Sequence, residues 1–447
     1  MRSVNTVVLP EYSEQLVLDS VRRAREQLRS KESAKRLTAL DFYYNRNMDT
    51  HLEQWFPGES LSQVPMFPVR IVPRFARARM LLLKNEIKRF IGGEESEDYR
   101  GLTHHLNSKM REFGEIAWLL GDCHLRSKWS ERYQRVEYDI LPQVKEYYIN
   151  GESLPFGYSY EVEIFGNHRQ FVFWSEARDG KPGLHFKYDQ AGKIVDIPGG
   201  DGTNPYDLLP ISKIMNSADA SDVVRCSVQI GIAMTEIALG VRFSLGQPVI
   251  TGIEESQAQI KSGIDRAILL PEGASFNYVS PSGSLPAMIE SVKAFADLTA
   301  QNHALKIKWG DAGQVQSGVA LAIQDVENLE SRESDIPLWK EWENSRYEID
   351  KKIIEVHTGK GLSEDYAVDY GEVSYPMSAK EELDLLKAKK DMGIIDQEDI
   401  IRHYNPDISD EELHDRMGNL KEERIEAPPQ TEQPLFEGLK RLGSISS

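Results

Sequence analysis

Apolar side chains recur at Val17, Val21, Ala24 and Leu28, and this i, i+4, i+7, i+11 spacing predicts an amphipathic helix over residues 13–40. Its other face is cationic: Arg22, Arg23, Arg25 and Arg29, then Lys31, Lys35 and Arg36. Pro57, Pro65, Pro68 and Pro73 mark the next stretch as loop. A second, basic helix is expected over 74–91, ending at Gly92-Gly93, and a third over 102–120. The pattern then changes period. Tyr158, Tyr160, Val162 and Ile164 alternate with Ser159, Glu161 and Glu163, as in a half-buried strand. Turn signals at Gly166-Asn167, Asp179-Gly180 and Gln190-Ala191-Gly192 complete the reading of 155–196 as a small antiparallel sheet.

Residues 219–245 predict a long helix that is apolar on most sides and therefore buried. Its interior glycines, Gly231 and Gly240, imply a close approach, because glycine costs a helix about 1 kcal/mol relative to alanine. Short strands at 248–253, 267–270 and 276–279 around a short helix follow, bounded by Pro271 and Pro281. A second helix is expected over 285–305 with Met288, Val292 and Phe295 on one face, then a glycine-bearing loop over 306–317. A very long helix should run over 319–357. Pro337 should kink or restart it, with Ser334 and Asp335 as caps. Near the end, Ser378/Glu381 and Ser409/Glu412 match capping boxes, while Asp396 can start a helix and Gly393 can close one. Three short helices near 379–392, 397–403 and 410–425 result, followed by a disordered or peptide-like tail over 427–447.

Composition narrows the class. The 447 residues are 40% apolar and 28% charged, ordinary globular usage that excludes collagen, disulfide scaffolds and wholesale disorder. Length alone suggests about three structural units. The formal charge of −18 argues against non-specific wrapping of DNA, which needs clustered cations. Two cysteines, Cys123 and Cys226, imply no disulfide framework. The opening residues lack the apolar core of a signal peptide, and Glu236 and Arg242 interrupt the most apolar stretch, so a soluble intracellular chain without a bilayer span is expected.

Catalytic and metal signatures are weak. Gly359-Lys360 lacks the first glycine and the Ser/Thr of a phosphate loop and reads as a helix C-cap. His104-His105 and Cys123-His124 are adjacent pairs without metal-ligand spacing, so no metal and no cofactor are expected. Glu94-Glu95, Glu254-Glu255 and Glu411-Glu412 read as solvated faces, and no nucleophile elbow is present. No catalytic residue is assigned. The cationic stripe Arg22–Arg36 is either a solvated helix face or a contact to nucleic acid or an acidic partner.

The order of elements is distinctive: a mixed α/β first half, an apolar helix, a small insert, a second helix, a glycine loop, a long helix and an acidic helical end. Gly313-Gln314-Val315-Gln316-Ser317-Gly318-Val319-Ala320, Lys390-Asp391-Met392-Gly393-Ile394-Ile395-Asp396-Gln397-Glu398, Asn405-Pro406-Asp407-Ile408-Ser409-Asp410-Glu411-Glu412 and Gly157-Tyr158-Ser159-Tyr160 carry the likeness locally. In this order and spacing, over about residues 150–425, the chain resembles the portal, or head-to-tail connector, proteins of tailed double-stranded-DNA phages. The resemblance implies an α+β, predominantly helical portal fold assembled as a ring with a central channel. It divides the chain into a wing (1–215), a stem helix (216–245), a clip (246–283), a second stem helix (284–305), a channel loop (306–318), a long kinked wing helix and its return (319–377), a crown (378–426) and a flexible tail (427–447).

The resemblance implies roles for particular residues. Lys306, Lys308, Trp309, Gln314, Val315 and Gln316 would face the channel. Val224, Val228, Ile232, Met288, Val292 and Phe295 would form the stem interface between subunits. Ile250, Glu254, Glu255, Lys261 and Asp265 would dock the terminase or an adaptor. It implies a ring of about twelve copies at a capsid vertex of the virion, put together in the host cytoplasm. The partners would be the terminase large subunit, a head-tail adaptor, the major capsid and scaffolding proteins, and double-stranded DNA held weakly without sequence specificity. No membrane partner is implied. The alternatives are another virion structural or adaptor protein, or an enzyme with an unrecognised α/β site.

Overall fold

The computed structural model describes residues 6–27, 31–56, 66–164, 168–189, 191–197, 200–216, 219–243, 247–251, 273, 275–279, 285–307, 326–373, 379–393, 395–405, 408–409, 412–413 and 416–417. The chain divides into two compact units, one of residues 1–313 and 323–374, the other of 314–322 and 375–447.

The first unit begins with strand β1 (Thr6–Leu9) and helices α1 (Glu14–Gln27), α2 (Lys31–Tyr44), α3 (Met48–Glu53) and α4 (Val72–Arg79). Hairpin β2 (Ile87–Ile91) and β3 (Glu94–Glu95) leads into α5 (Glu97–Leu102) and α6 (Leu106–Leu120). Strands β4 (Asp122–Ser130), β5 (Arg135–Leu141), β6 (Val144–Ile149), β7 (Gly157–Ile164), β8 (His168–Ser175), β9 (His185–Asp189), β10 (Ile194–Asp196) and β11 (Ile211–Met215) follow. The unit closes with α7 (Ser221–Phe243), β12 (Gln247–Thr251), β13 (Ser275–Val279), α8 (Leu285–Asn302), α9 (Val326–Thr358) and β14 (Tyr366–Tyr370). The second unit contains α10 (Ala379–Asp391) and α11 (Gln397–Tyr404). This is an α+β chain.

One sheet has the order β1-β6-β7-β8-β9-β10; β1 lies parallel to β6 and the remaining pairs are antiparallel. A second has the order β11-β4-β5 and a third β14-β2-β3, while β12 and β13 form a separate two-stranded antiparallel sheet, called the β12–β13 hairpin below. The larger core joins α2, α4, α6 and α9 to β4, β5 and β11 through Phe42, Phe75, Phe113, Leu125, Trp339 and Ile353. A smaller core lies between α1 and the six-stranded sheet. Val17 and Val21, from the expected stripe, are fully buried there against Phe173 and Tyr188.

Several expectations change. The helix expected over 13–40 is described as two segments, and the second continues to Tyr44. The helix expected over 74–91 ends at Arg79. After a 3-10 turn at Leu81–Leu83, residues 87–91 pair with β14, nearly 280 positions later. Gly92 and Gly93, at φ 63° and 85°, make the β2–β3 turn and do not end a helix. Strand β7 is covered on both faces at its start, since Ser159 is as buried as Tyr158 and Tyr160 and shares a hydrogen bond with Tyr188 Oη at 2.6 Å. Strands β4, β5, β11 and β14 carry no counterpart in the sequence reading.

Helix α9 is continuous through Pro337. Neither expected restart cap serves as one: Ser334 Oγ donates to Glu330 O, and Asp335 pairs with Arg79 at 2.8 Å. Gly359 closes α9 as expected, at φ 71°, with its N–H on Glu355 O.

In the second unit, Asp396 and Asp399 form a reciprocal capping box at 2.9 Å each way, and Gly393 follows α10 at φ 71°. Ser409 Oγ accepts from Glu412 N at 3.3 Å while the Glu412 carboxylate accepts from Ser409 N at 3.4 Å, the expected second box. Ser409→Ala should therefore cost about 1 kcal/mol locally. Hydrogen exchange at Glu412, Leu413 and Arg416 should speed up while the first unit is unchanged. The Ser378 cap, the 267–270 strand, residues 319–325 and the tail lie outside the described residues.

Candidate functional site

Helices α7 and α8 pack antiparallel. Asn302 Nδ2 and His303 Nε2 reach the Asp222 carboxylate at 3.2 and 2.8 Å, and Cys226 Sγ lies 3.7 Å from Phe295 O. Cys226, Ile230 and Ile237 of α7 meet Val292 and Ala296 of α8, with Met288, Val69 and Ile71 at the margin. Hairpin β12–β13 joins the ends of the pair away from Asp222, with Ile250 opposite Phe276.

The opposite side of α7 carries Ser227, Gly231 and Thr235 at every fourth position, all fully buried. An extended segment crosses this stripe: Ser227 Oγ donates to Val69 O at 2.7 Å, and Phe67 N donates to Thr235 Oγ1 at 3.2 Å. A Cβ at Gly231 would lie 2.9 Å from Leu52 Cδ2, which is the close approach that the glycine implied. By length and composition Ser221–Val241 could cross a bilayer, so Glu236 and Arg242 do not exclude it as the sequence reading supposed. Here α7 is packed against α8, α3 and the crossing segment.

The structure distributes the expected interface residues unevenly. Val224 and Val292 are buried within the chain, and Val228 and Met288 pack partly against its cores. Ile232 is half-buried and joins neither core. Phe295 is 56% exposed. Ile289, Leu298 and Val241, which the sequence reading did not single out, are 42%, 61% and 53% exposed. For Leu298 the signal was present in the 3.6-residue period of α8, where Leu298 shares with Phe295 a side turned away from the Val292–Ala296–Ala300 seam. Lys306 is exposed just after α8. Lys308, Trp309, Gln314, Val315, Gln316, Glu254, Glu255, Lys261 and Asp265 lie outside the described residues.

Two buried ionic clusters brace other parts of the first unit. On α9, Glu343, Arg346 and Asp350 are completely buried. Arg346 binds both acids and also donates to Tyr99 Oη and Tyr366 Oη at 2.8 and 3.0 Å. Arg89 adds a second cation on Glu343 at 2.6 Å, while Ser127 and Tyr138 donate to Asp350 at 2.6 Å. Burial alone would raise the Glu343 carboxyl, but Arg346 and Arg89 outweigh it and hold the group at about 2. Two cations therefore balance two anions, and the helix is fixed to β2, β4, β5 and α5.

The second cluster lies between sheets. Glu146 of β6 accepts from Lys213 of β11 at 2.7 Å and Tyr148 at 3.1 Å, and lies 3.0 Å from His124 Nε2 of β4. Arg36, from the cationic stripe, pairs with Asp122 at 2.6 Å and donates to Pro142 O, so this member of the stripe is structural. Arg22 and Lys35 remain exposed, each near an acid on its own helix. In both clusters the ions neutralise one another, as a scaffold requires. Among the described residues no group of three or more His, Cys, Asp or Glu could hold a metal ion. His104 and His105 stack on one another, and Cys123 is fully buried with its thiol pushed well up by desolvation.

No protein-family model matches this chain, and no curated protein does. Similar solved structures are particle components. A chain in the neck of an empty gene transfer agent particle, computed with C6 symmetry, is 16% identical; the match covers 80% of this chain and 93% of that one, with a TM-score of 0.39. A chain in the neck of the native particle, computed with C12 symmetry, is 13% identical over 81% and 91%, with a TM-score of 0.33. A chain of the native gene transfer agent virion is 15% identical over 81% and 91%, with a TM-score of 0.31. These likenesses belong to those particles and by themselves carry no role over to this chain.

The histidines predict an acid response. Burial outweighs the Glu146 contact and lowers the His124 pKa, while His185 is pushed down to about 4 by burial and by Arg126 and Lys187. Below the ordinary histidine value of 6.5 the unfolded chain takes up these protons first, so stability falls as pH drops from 6.5 toward 4. His185 alone should contribute on the order of 3 kcal/mol of that loss. Glu146 and Glu343, both held at about 2, act in a separate window and lose their contribution only below their ordinary 4.5. Thermal denaturation across this range should show a first drop that His124→Gln with His185→Gln flattens.

Proposed function

We propose that this chain is the subunit of a phage-type portal ring, a channel for double-stranded DNA during packaging and ejection and a platform for head-tail adaptors. The observation that carries this reading is the antiparallel pair α7–α8, capped at one end by the β12–β13 hairpin and followed by the 33-residue helix α9. At about 1.5 Å per residue α7 is ~35 Å long, enough to line a substantial channel wall. The exposed apolar side chains of α8 suit packing against a second copy, since such patches mark interfaces. The net charge suits sliding. Some twelve copies at −18 carry on the order of −200 charges, a wall that holds phosphates loosely where a basic wall would grip them.

In this reading the hairpin region receives the terminase large subunit and then an adaptor, residues 306–318 face the DNA, and residues 378–426 form the crown. The major capsid and scaffolding proteins surround the ring in the virion vertex, and the chain itself carries out no catalysis. The test is the mass of the purified protein. Twelve copies of 50.8 kDa give roughly 610 kDa by native mass spectrometry, with a channel visible in class averages. Monomers or dimers alone, at every salt and protein concentration, would refute the ring.

A further inference from the structure

A cavity of about 540 Å³ opens between α2, the end of α6 and the start of α7, and neither the ionic clusters nor the helix pair accounts for it. Its floor is aliphatic: Ala39, Leu119, Leu120 and Val224, each under 10% exposed. Its rim carries Lys31, Lys35 and Arg225, all exposed, with Arg36 in the wall. The Arg36 guanidinium is held by Asp122 and two backbone carbonyls and so serves as rigid wall. Two acids, Glu32 and Asp219, share the lining. Glu32 meets Lys35 at 3.3 Å in an exposed pair of little strength, and Asp219 caps α7 by accepting from Ser221 N at 3.1 Å. Cations thus outnumber acids locally in a chain where acids outnumber cations 71 to 53.

We infer that this cavity is a docking site for an acidic peptide segment that inserts an aliphatic side chain, supplied by a partner protein. The aliphatic floor needs an apolar group to fill it, and the cationic rim needs carboxylates beside that group. A cavity of this size is within the range that takes a compact ligand group. Among the described lining residues none is aromatic, so nothing there stacks on a nucleobase. A DNA duplex offers phosphates on a convex surface and no aliphatic side chain for the floor, so the same rim does not make this a nucleic-acid site. The site also gives the cationic stripe of α2 a division of labour, with Arg36 structural and the exposed Lys31 and Lys35, the latter only weakly paired with Glu32, available to a partner. The inference does not depend on the ring.

The experiment uses the full-length protein as purified and labelled short peptides read by fluorescence anisotropy. One peptide places a leucine pair between aspartates and glutamates; the others replace leucine by serine or the acids by lysine. A short DNA duplex is the fourth probe. The acidic leucine peptide should bind at least about tenfold more tightly than the other three. Charge reversal in Lys31→Glu with Arg225→Glu should weaken it by about tenfold or more, and so should filling the cavity with Thr38→Trp. Circular dichroism and assembly state should be unchanged in both variants, because Lys31 and Arg225 are exposed and Thr38 lines the opening. Equal binding of the serine peptide would overturn the inference by showing charge attraction alone. Tighter binding of the duplex, no binding of the acidic leucine peptide, or binding that survives both variants would overturn it as well.

Discussion

Replacing Arg346 by methionine is expected to destabilise the first unit by about 3–5 kcal/mol, the largest single-site effect predicted for this chain. The arginine is fully buried between Glu343 and Asp350, and both acids are fully buried too. Removing it leaves Asp350 with hydroxyl donors only and Glu343 with Arg89 and Tyr366. Uncompensated charge in a dry core costs far more than a mutual ion pair contributes. Replacing Arg346 together with Glu343 and Asp350 by apolar residues of similar size should therefore cost less than Arg346→Met alone. Chemical denaturation of the three proteins checks this. A loss below about 1 kcal/mol for Arg346→Met would mean that water reaches the cluster.

The second large effect concerns assembly. For the ring proposed above, Phe295→Asp with Leu298→Asp is expected to abolish assembly and leave a folded chain. Both side chains are more than half exposed in the single subunit, so their loss removes nothing from its core. Carboxylates at those positions would have to be desolvated when a second copy packs on α8. Val292→Asp is the contrasting variant. Val292 is buried against α7, so this substitution should disrupt the helix pair inside the chain. Native mass spectrometry with circular dichroism separates the outcomes. Intact rings from the double variant would place the subunit interface elsewhere.

Local signals read correctly where local chemistry decides. The Asp396 and Ser409 caps, Gly393 and Gly359 are matters of a few adjacent backbone groups, and all four are found as expected. The stripe of Val17 and Val21, the run of Tyr158 and Tyr160, the apolar helix α7 and the strands near 248–253 and 276–279 follow from period and turn chemistry in the same way. Gly231 implies a close approach, and Leu52 supplies it. Pro337 marks the limit of such signals: a proline that would break an isolated helix sits inside α9, where packing of Trp339 and Trp342 holds the flanking turns.

What the sequence by itself determined was the caps at Asp396, Ser409 and Gly359, the acidic balance and the succession of apolar helix, short-strand insert, second helix and long helix that underlies the functional proposal. The tertiary structure decided everything that depends on distant partners. Residues 87–91 are a strand because β14 lies beside them, and Ser159 is buried because α1 and its sheet close over it. Glu146, Glu343, Arg346 and Asp350 look like surface charges in one dimension and are core ions in three, and Arg36 is half-buried on Asp122. Val292 and Phe295 share an apolar character, yet one is buried against α7 and the other faces outward. The physical reason is the same in each case. Hydrogen-bonded turns and helical periods are set by neighbours a few residues apart, whereas burial and charge pairing depend on which surfaces meet, and nothing in a local window encodes that.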